Sequence, residues 1–121
     1  MVNALFDTCI LIDYLNKIEA AKAEMKRYES RAISLITWME IMVGAAADGE
    51  QQLRAWLNTF RVVAIDESIA ARAVEIRKAH RIKLPDAIVW ASAQAHSLLL
   101  VSRNTKDFSA DQPGVRVPYR L

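Results

Sequence analysis

Short apolar runs bounded by polar residues alternate along the chain with longer stretches whose apolar positions recur every three or four residues, a pattern that predicts strands separated by helices. Asn3 to Phe6 is a short apolar segment ending at Asp7, and Ile10, Leu11, Tyr14 and Leu15 follow at helical spacing. These are expected to form a first strand and a first helix. A polar amphipathic stretch from Ile18 to Glu29 predicts a second helix, after which Ala32 to Leu35 supplies a second strand. From Thr37 onward Trp38, Ile41, Met42 and Ala45 share a helical face, and beyond the Asp48-Gly49 turn another helix carries Leu53, Trp56, Leu57 and Phe60. The pair reads as a helical hairpin. Val62 to Ile65 is a third strand and Glu67 to Arg81 a helix with Ile69, Ala73 and Ile76 facing inward. Pro85 opens the next helix in its first turn, where a missing N–H costs nothing. Leu98 to Val101 reads as a buried strand, and Val115 to Pro118 as an edge strand whose pairing Pro118 limits.

Strands joined through helices require a parallel sheet covered on both faces, with right-handed crossovers. The chain of 121 residues is 53% hydrophobic, which suits one compact domain over residues 1–121 with a sizeable core. Three glycines and three prolines leave little material for linkers, and no repeat or low-complexity tract is present. Asp7 and Asp13 interrupt the apolar N-terminus, and even Ala87 to Ala95 contains Ser92 and Gln94, so neither a signal peptide nor a membrane span is expected. A cytoplasmic location follows as the expectation. Cys9 is the single cysteine; it excludes an internal disulfide and reads as a small buried packing residue. The net charge of +2 permits a nucleic-acid partner without demanding one.

Four acids change that picture. Asp7, Glu40, Asp86 and Asp107 each lie just past an apolar strand segment or on the first turn of the helix that follows. In open parallel sheets the site lies outside the carboxyl ends of the strands, so acids repeatedly placed there are expected to share one pocket. Each also has a local explanation: Asp7 can cap the first helix, Thr37-Trp38-Met39-Glu40 matches a capping box, and Asp86 suits the positive end of a helix. Asp107 lies in a polar loop, where a surface acid requires no explanation. Their conjunction favours the joint site. Clustered carboxylates repel one another and raise at least one pKa unless a proton or cation intervenes. Such a set is suited to Mg²⁺ or Mn²⁺ and to activating water toward a phosphodiester. Thr8, Ser102 and Asn104 supply neutral polar groups beside the acids, whereas His80 and His96 occupy helix positions unrelated to them.

These segments resemble the motifs of a known family. Phe6-Asp7-Thr8-Cys9-Ile10-Leu11-Ile12-Asp13-Tyr14-Leu15 is similar to the opening motif of PIN-domain ribonucleases, and Ser34-Leu35-Ile36-Thr37-Trp38-Met39-Glu40 with Gly44 to their second. Leu84-Pro85-Asp86-Ala87-Ile88-Val89 with Ala91 resembles the third, and Val101-Ser102-Arg103-Asn104-Thr105-Lys106-Asp107-Phe108 the fourth. The wording and small size look most like the VapC-type toxins of toxin–antitoxin pairs. The resemblance implies a PIN-like three-layer α/β/α sandwich with a central, mostly parallel sheet. It further implies Asp7, Glu40, Asp86 and Asp107 as catalytic, metal-holding acids, a Mg²⁺- or Mn²⁺-dependent endoribonuclease often directed at tRNA, a homodimer, and a protein antitoxin that blocks the pocket. Many relatives place glycine where this chain has His96-Ser97, leaving the helix end less easily capped.

Arg81, Lys83, Arg103 and Lys106 surround the third and fourth motifs and are expected to hold RNA phosphates. Trp38, Met39, Met42 and Trp56 on the hairpin are the expected surface for a second copy or an antitoxin. An aspartyl-phosphate site would need a second acid two residues past Asp7, where Cys9 stands. The competing alternative is a catalytically inactive PIN-like module that binds RNA or protein.

Overall fold

The computed structural model describes residues 3–121. Five strands, β1 (Ala4–Phe6), β2 (Arg31–Ser34), β3 (Arg61–Val63), β4 (Leu99–Val101) and β5 (Val115–Arg116), form one sheet in the order β3-β2-β1-β4-β5. All four pairings are parallel, as strand–helix alternation requires. Six helices connect them: α1 (Thr8–Leu15), α2 (Glu19–Met25), α3 (Leu35–Val43), α4 (Glu50–Leu57), α5 (Glu67–His80) and α6 (Leu84–Ala95).

Successive strand residues feed opposite faces. Leu5, Ala32, Val63 and Leu100 point into a core shared with Ile69, Ala73 and Ile76 of α5 and Val89 and Trp90 of α6. Ala4, Phe6, Ile33 and Val101 point the other way, among Ile10, Leu11, Met25, Ile41 and Leu57 of α1 to α4. The result is an α/β/α sandwich whose strands are apolar on both sides, which is why each reads as a continuous apolar run. β1 lies at the centre, and the chain builds outward from it first to β2 and β3 and then to β4 and β5. A topological switch therefore falls between β1 and β4, with its crevice at their carboxyl ends.

Two expectations change. β2 ends at Ser34 and α3 begins at Leu35, because the Ser34 hydroxyl accepts from the Ile36 N–H and caps the helix two residues ahead of the expected start. Thr37 and Glu40 are thus inside α3, and the capping box assigned to them does not form. The Val62 to Ile65 strand occupies Arg61–Val63 instead, pinned by register with Ala32 to Ser34. At the end of α6, Ser97 takes the left-handed conformation with φ 54°, while the Leu98 N–H donates to the Ala93 carbonyl at 2.8 Å and the Ser97 N–H to that of Gln94. This is a Schellman closure made without glycine.

Candidate functional site

The local rules that shape each element also aim its side chains at the switch. Asp7 ends β1 and caps α1; its N–H donates to the Val101 carbonyl at 2.9 Å, which fixes the corner against β4. Its carboxylate is 4% exposed and accepts from the Thr8 N–H at 2.8 Å and the Ser102 hydroxyl at 2.7 Å. Ser102, the first residue past β4, is fully buried and also accepts from the Asn104 N–H at 3.0 Å. Thr8 turns the other way and donates to Glu40 Oε1 at 2.8 Å, linking the start of α1 to the middle of α3, with the buried Thr37 hydroxyl 3.0 Å from its own. Glu40 is exposed at the rim.

Asp86 occupies the first turn of α6, and Asp107 lies beyond β4 beside Phe108, whose fully buried ring packs edge-on against Trp90 at 5.7 Å. The Asn104 amide donates to Asp107 Oδ2 at 3.0 Å. Asp86 and Asp107 lie near enough for each to shift the other's carboxyl, Asp86 upward and Asp107 downward.

Electrostatics ties the four acids into one site. Burial pushes the Asp7 carboxyl above its usual range against the hydrogen bonds that oppose the shift, and Glu40 adds to the rise. Asp86 is pushed up to about 7, first by burial, then by its bond to Asp107 and by the charges of Asp7, Asp107 and Glu40. Asp107 is held low first by Asp86, then by the Asn104 amide and by Lys106 and Lys83 nearby. Among the described residues no three acidic, histidine or cysteine side chains stand close enough to form a closed ligand set. The acids line an open crevice, near enough to feel one another.

Other expected residues separate into those at this crevice and those elsewhere. Lys83 and Lys106 are exposed and act on Asp107; Arg81 is exposed and closes α5 in the left-handed conformation at φ 55°. Arg103 departs from the phosphate-binding expectation. Its guanidinium makes two hydrogen bonds to Asp13, Nη2 to Oδ1 at 2.8 Å and Nε to Oδ2 at 2.5 Å, so its charge is already matched. Cys9 departs as well, being more than a packing residue: its thiol donates to Asp7 Oδ2 at 3.5 Å and is pushed up to about 11, by burial and then by the Asp7 charge. The histidines lie away from the acids, His80 packed on Trp90 at 4.8 Å and His96 bonded to Arg61 at 3.0 Å.

Asp13 and Glu24 are the acids that sequence reasoning passed over. Asp13 is 3% exposed and also accepts from the Tyr119 hydroxyl at 2.8 Å, while Glu24, 5% exposed, is gripped by Arg116 and by the Tyr28 hydroxyl at 2.7 Å. One signal was available: each sits on the inward stripe of its helix, among Ile10, Leu11 and Tyr14 or beside Ala21 and Met25. A recess of about 590 Å³ between Asn3, Gln94, Ser97 and Gly114 opens at the opposite strand ends and holds no carboxylate.

On the hairpin, Trp56 stacks on Tyr14 at 5.0 Å and Arg54 lies over Trp38. A groove of about 370 Å³ remains between Trp38, Met39, Met42, Val43, Glu50 and Arg54. Val43 is 87% exposed, and Ile12 and Leu15 of α1 continue the apolar surface.

The same architecture is found in solved structures. A toxin–antitoxin complex from Klebsiella pneumoniae contains a chain 49% identical to this one, with a TM-score of 0.93 over 98% of this chain and 100% of that one. FitAcB from Neisseria gonorrhoeae is 27% identical, with a TM-score of 0.77 over 98% and 99% of the two chains. VapBC-5 from Mycobacterium tuberculosis, 21% identical with a TM-score of 0.66 over the full length of both, shares the fold. No curated protein sequence matches the chain. The PIN domain profile matches residues 4–110, a span that holds all five strands but the last and every one of the four crevice acids. The chain therefore belongs to the PIN-domain family.

Proposed function

We propose that this protein is a divalent-metal-dependent endoribonuclease and the toxin half of a toxin–antitoxin pair. The observation that carries the reading is the delivery of Asp7, Asp86 and Asp107 from the end of β1, the first turn of α6 and the loop after β4 to one edge of the sheet, with Glu40 tied to it through Thr8. Burial and the neighbouring acids raise the carboxyls of Asp7 and Asp86, so a cation placed among them would be favoured. Lys83 and Lys106 approach Asp107 only from the exposed rim, and Arg103 is committed to Asp13. The donor set is oxygen alone, which suits Mg²⁺ or Mn²⁺.

Asp7, Asp86, Asp107 and the rim acid Glu40 would hold the ion. When bound, it supplies Lewis-acid polarisation of water and of a phosphodiester oxygen. The residues do the positioning. Thr8 N–H and the Ser102 hydroxyl fix the two oxygens of Asp7, Thr8 Oγ1 fixes Glu40, and Asn104 orients Asp107. A cation held there would favour the charged form of Asp86. Lys83 and Lys106 border the crevice where an RNA backbone would run, with the exposed Arg81 two residues before Lys83, and RNA binding through them would weaken with salt.

The partner surface follows from the apolar groove on α3 and α4 and its continuation over Ile12 and Leu15. An antitoxin segment covering Met39 and Val43 would also reach Glu40, which lines the adjoining hollow with Ile41 and Leu53. The similar chain from Klebsiella pneumoniae, solved in a toxin–antitoxin complex, supports that assignment, and a homodimer is the expected free state.

Incubating antitoxin-free protein with total tRNA, with and without Mn²⁺, alongside Asp7→Asn, tests the reading. Discrete fragments that require both the metal and Asp7 are expected. Cleavage at the parental rate by Asp7→Asn would overturn the site, and Mn²⁺ binding with no cleavage of any RNA offered would favour a binding module.

A further inference from the structure

Two consecutive residues, Ser102 and Arg103, grip two acids on one helix. Ser102 donates to Asp7, the cap of α1, and Arg103 reaches across to Asp13 in its last turn. The loop they begin carries Asn104 and Asp107 and is closed by Phe108, whose N–H returns to the Asn104 carbonyl at 2.9 Å. Tyr119, beyond the edge strand β5, lays its hydroxyl on the same Asp13 carboxylate. Helix, loop and tail thus converge on one side chain that is 3% exposed.

Stability alone is a poor reason to bury that charge. A buried ion pair returns little net free energy compared with apolar residues of the same volume, because desolvation offsets the attraction. What the bidentate fork provides is direction, since a guanidinium matched to a carboxylate through two N–H groups has one orientation. Resting on the metal-site reading above, we propose that Asp13, Arg103 and Tyr119 are positioning residues that set the register of loop 102–107 against α1, and so the spacing of Asp107 from Asp7.

The test compares Asp13→Asn, Arg103→Gln and the gentle variant Tyr119→Phe with the parent in three measurements, all well below the melting midpoint. These are amide hydrogen exchange over residues 102–108 in metal-free protein, Mn²⁺ affinity by calorimetry, and kcat and KM on RNA. Exchange across the loop is expected to quicken while β1 and β4 stay protected, and Mn²⁺ affinity to fall about tenfold, as for residues that orient ligands from behind. The rate constant should fall with KM little changed. A double variant, Asp13→Leu with Arg103→Met, separates positioning from stability by restoring apolar packing. It is expected to recover the melting midpoint and not the metal affinity. Recovery of both, or parental exchange and affinity in the folded single variants, would overturn the proposal. So would a result in which Arg103→Gln raises KM while Asp13→Asn lowers it, since that pattern marks Arg103 as a phosphate contact. A parent that binds no Mn²⁺ would fail the metal-site reading alone, and loop exchange would then decide the positioning role.

Discussion

Asp7 and Asp13 lie on the same helix, at 4% and 3% exposure, and their carboxyls are driven in opposite directions. Burial raises Asp7, whose partners are two neutral donors and a thiol; Arg103 lowers Asp13 by placing a matched charge against it, with the Tyr119 hydroxyl adding to the effect. The same division separates Asp86 from Glu24. Asp86 is raised to about 7 among other acids, whereas in Glu24 burial pushes the pKa up and Arg116 with Tyr28 more than reverses it. Burial alone therefore does not set the direction in which these acids shift. A guanidinium bonded to the carboxylate does: Arg103 grips Asp13 and Arg116 grips Glu24, whereas Asp7 and Asp86 have neutral donors and other acids as neighbours.

The largest effect expected from this contrast is on activity. Asp7→Asn should reduce RNA cleavage by at least about a thousandfold, given that a single activating interaction at such centres contributes several kcal/mol. Its metal-free melting midpoint should equal or exceed the parent's, since the substitution removes like-charge repulsion. A midpoint several degrees lower would place Asp7 in the structural class.

Substitutions in the compensated set should behave in reverse. Glu24→Ala leaves Arg116 facing a buried void and should cost about 2–4 kcal/mol in denaturant unfolding; the value falls toward the lower part of the range for buried pairs because Arg116 is a third exposed. Catalytic rate per folded molecule should be unchanged.

Acid titration sharpens the contrast through its sign. Asp86 binds its proton more tightly folded than unfolded, so between pH 4 and about 7 the folded state holds more protons and the metal-free protein should lose stability as pH rises. Asp13 and Glu24, both lowered, contribute stability present above the ordinary carboxylate range and lost as pH falls through their folded values. Denaturant midpoints in chelator should therefore decline toward neutral pH in the parent and decline less in Asp86→Asn, where the raised Asp7 still contributes, with an acid-side loss common to both. Saturating Mn²⁺ should remove the neutral-side decline.

The smallest effect reads the Asp7 charge through its neighbour. The Cys9 thiol should alkylate slowly at pH 8, and modestly faster in Asp7→Asn, because the second of its two raising influences is gone. An unchanged rate would mean that burial alone protects it.

Much of this was legible in the chain. Apolar runs such as Leu98 to Val101 mark strands covered on both faces, and acids just past them mark the crevice, because strand ends and first helical turns are fixed by short-range rules. Local rules also misled. The capping-box pattern at Thr37 and Glu40 is satisfied in sequence but outcompeted by Ser34, whose position at the end of β2 is set by register with its neighbours. Arg103 read as a free cation because its partner lies 90 residues away, and Tyr119 reaches Asp13 across 106.

The sequence by itself determined the order of strands and helices, the double-sided sheet and the residues delivered to its carboxyl edge, since periodicity and capping depend on neighbours within a turn or a pleat. Only the tertiary structure decided which acids are compensated. That choice depends on distances between side chains that loop closure brings together, and the free energy separating Asp7 from Asp13 comes from those distances and the low dielectric around them.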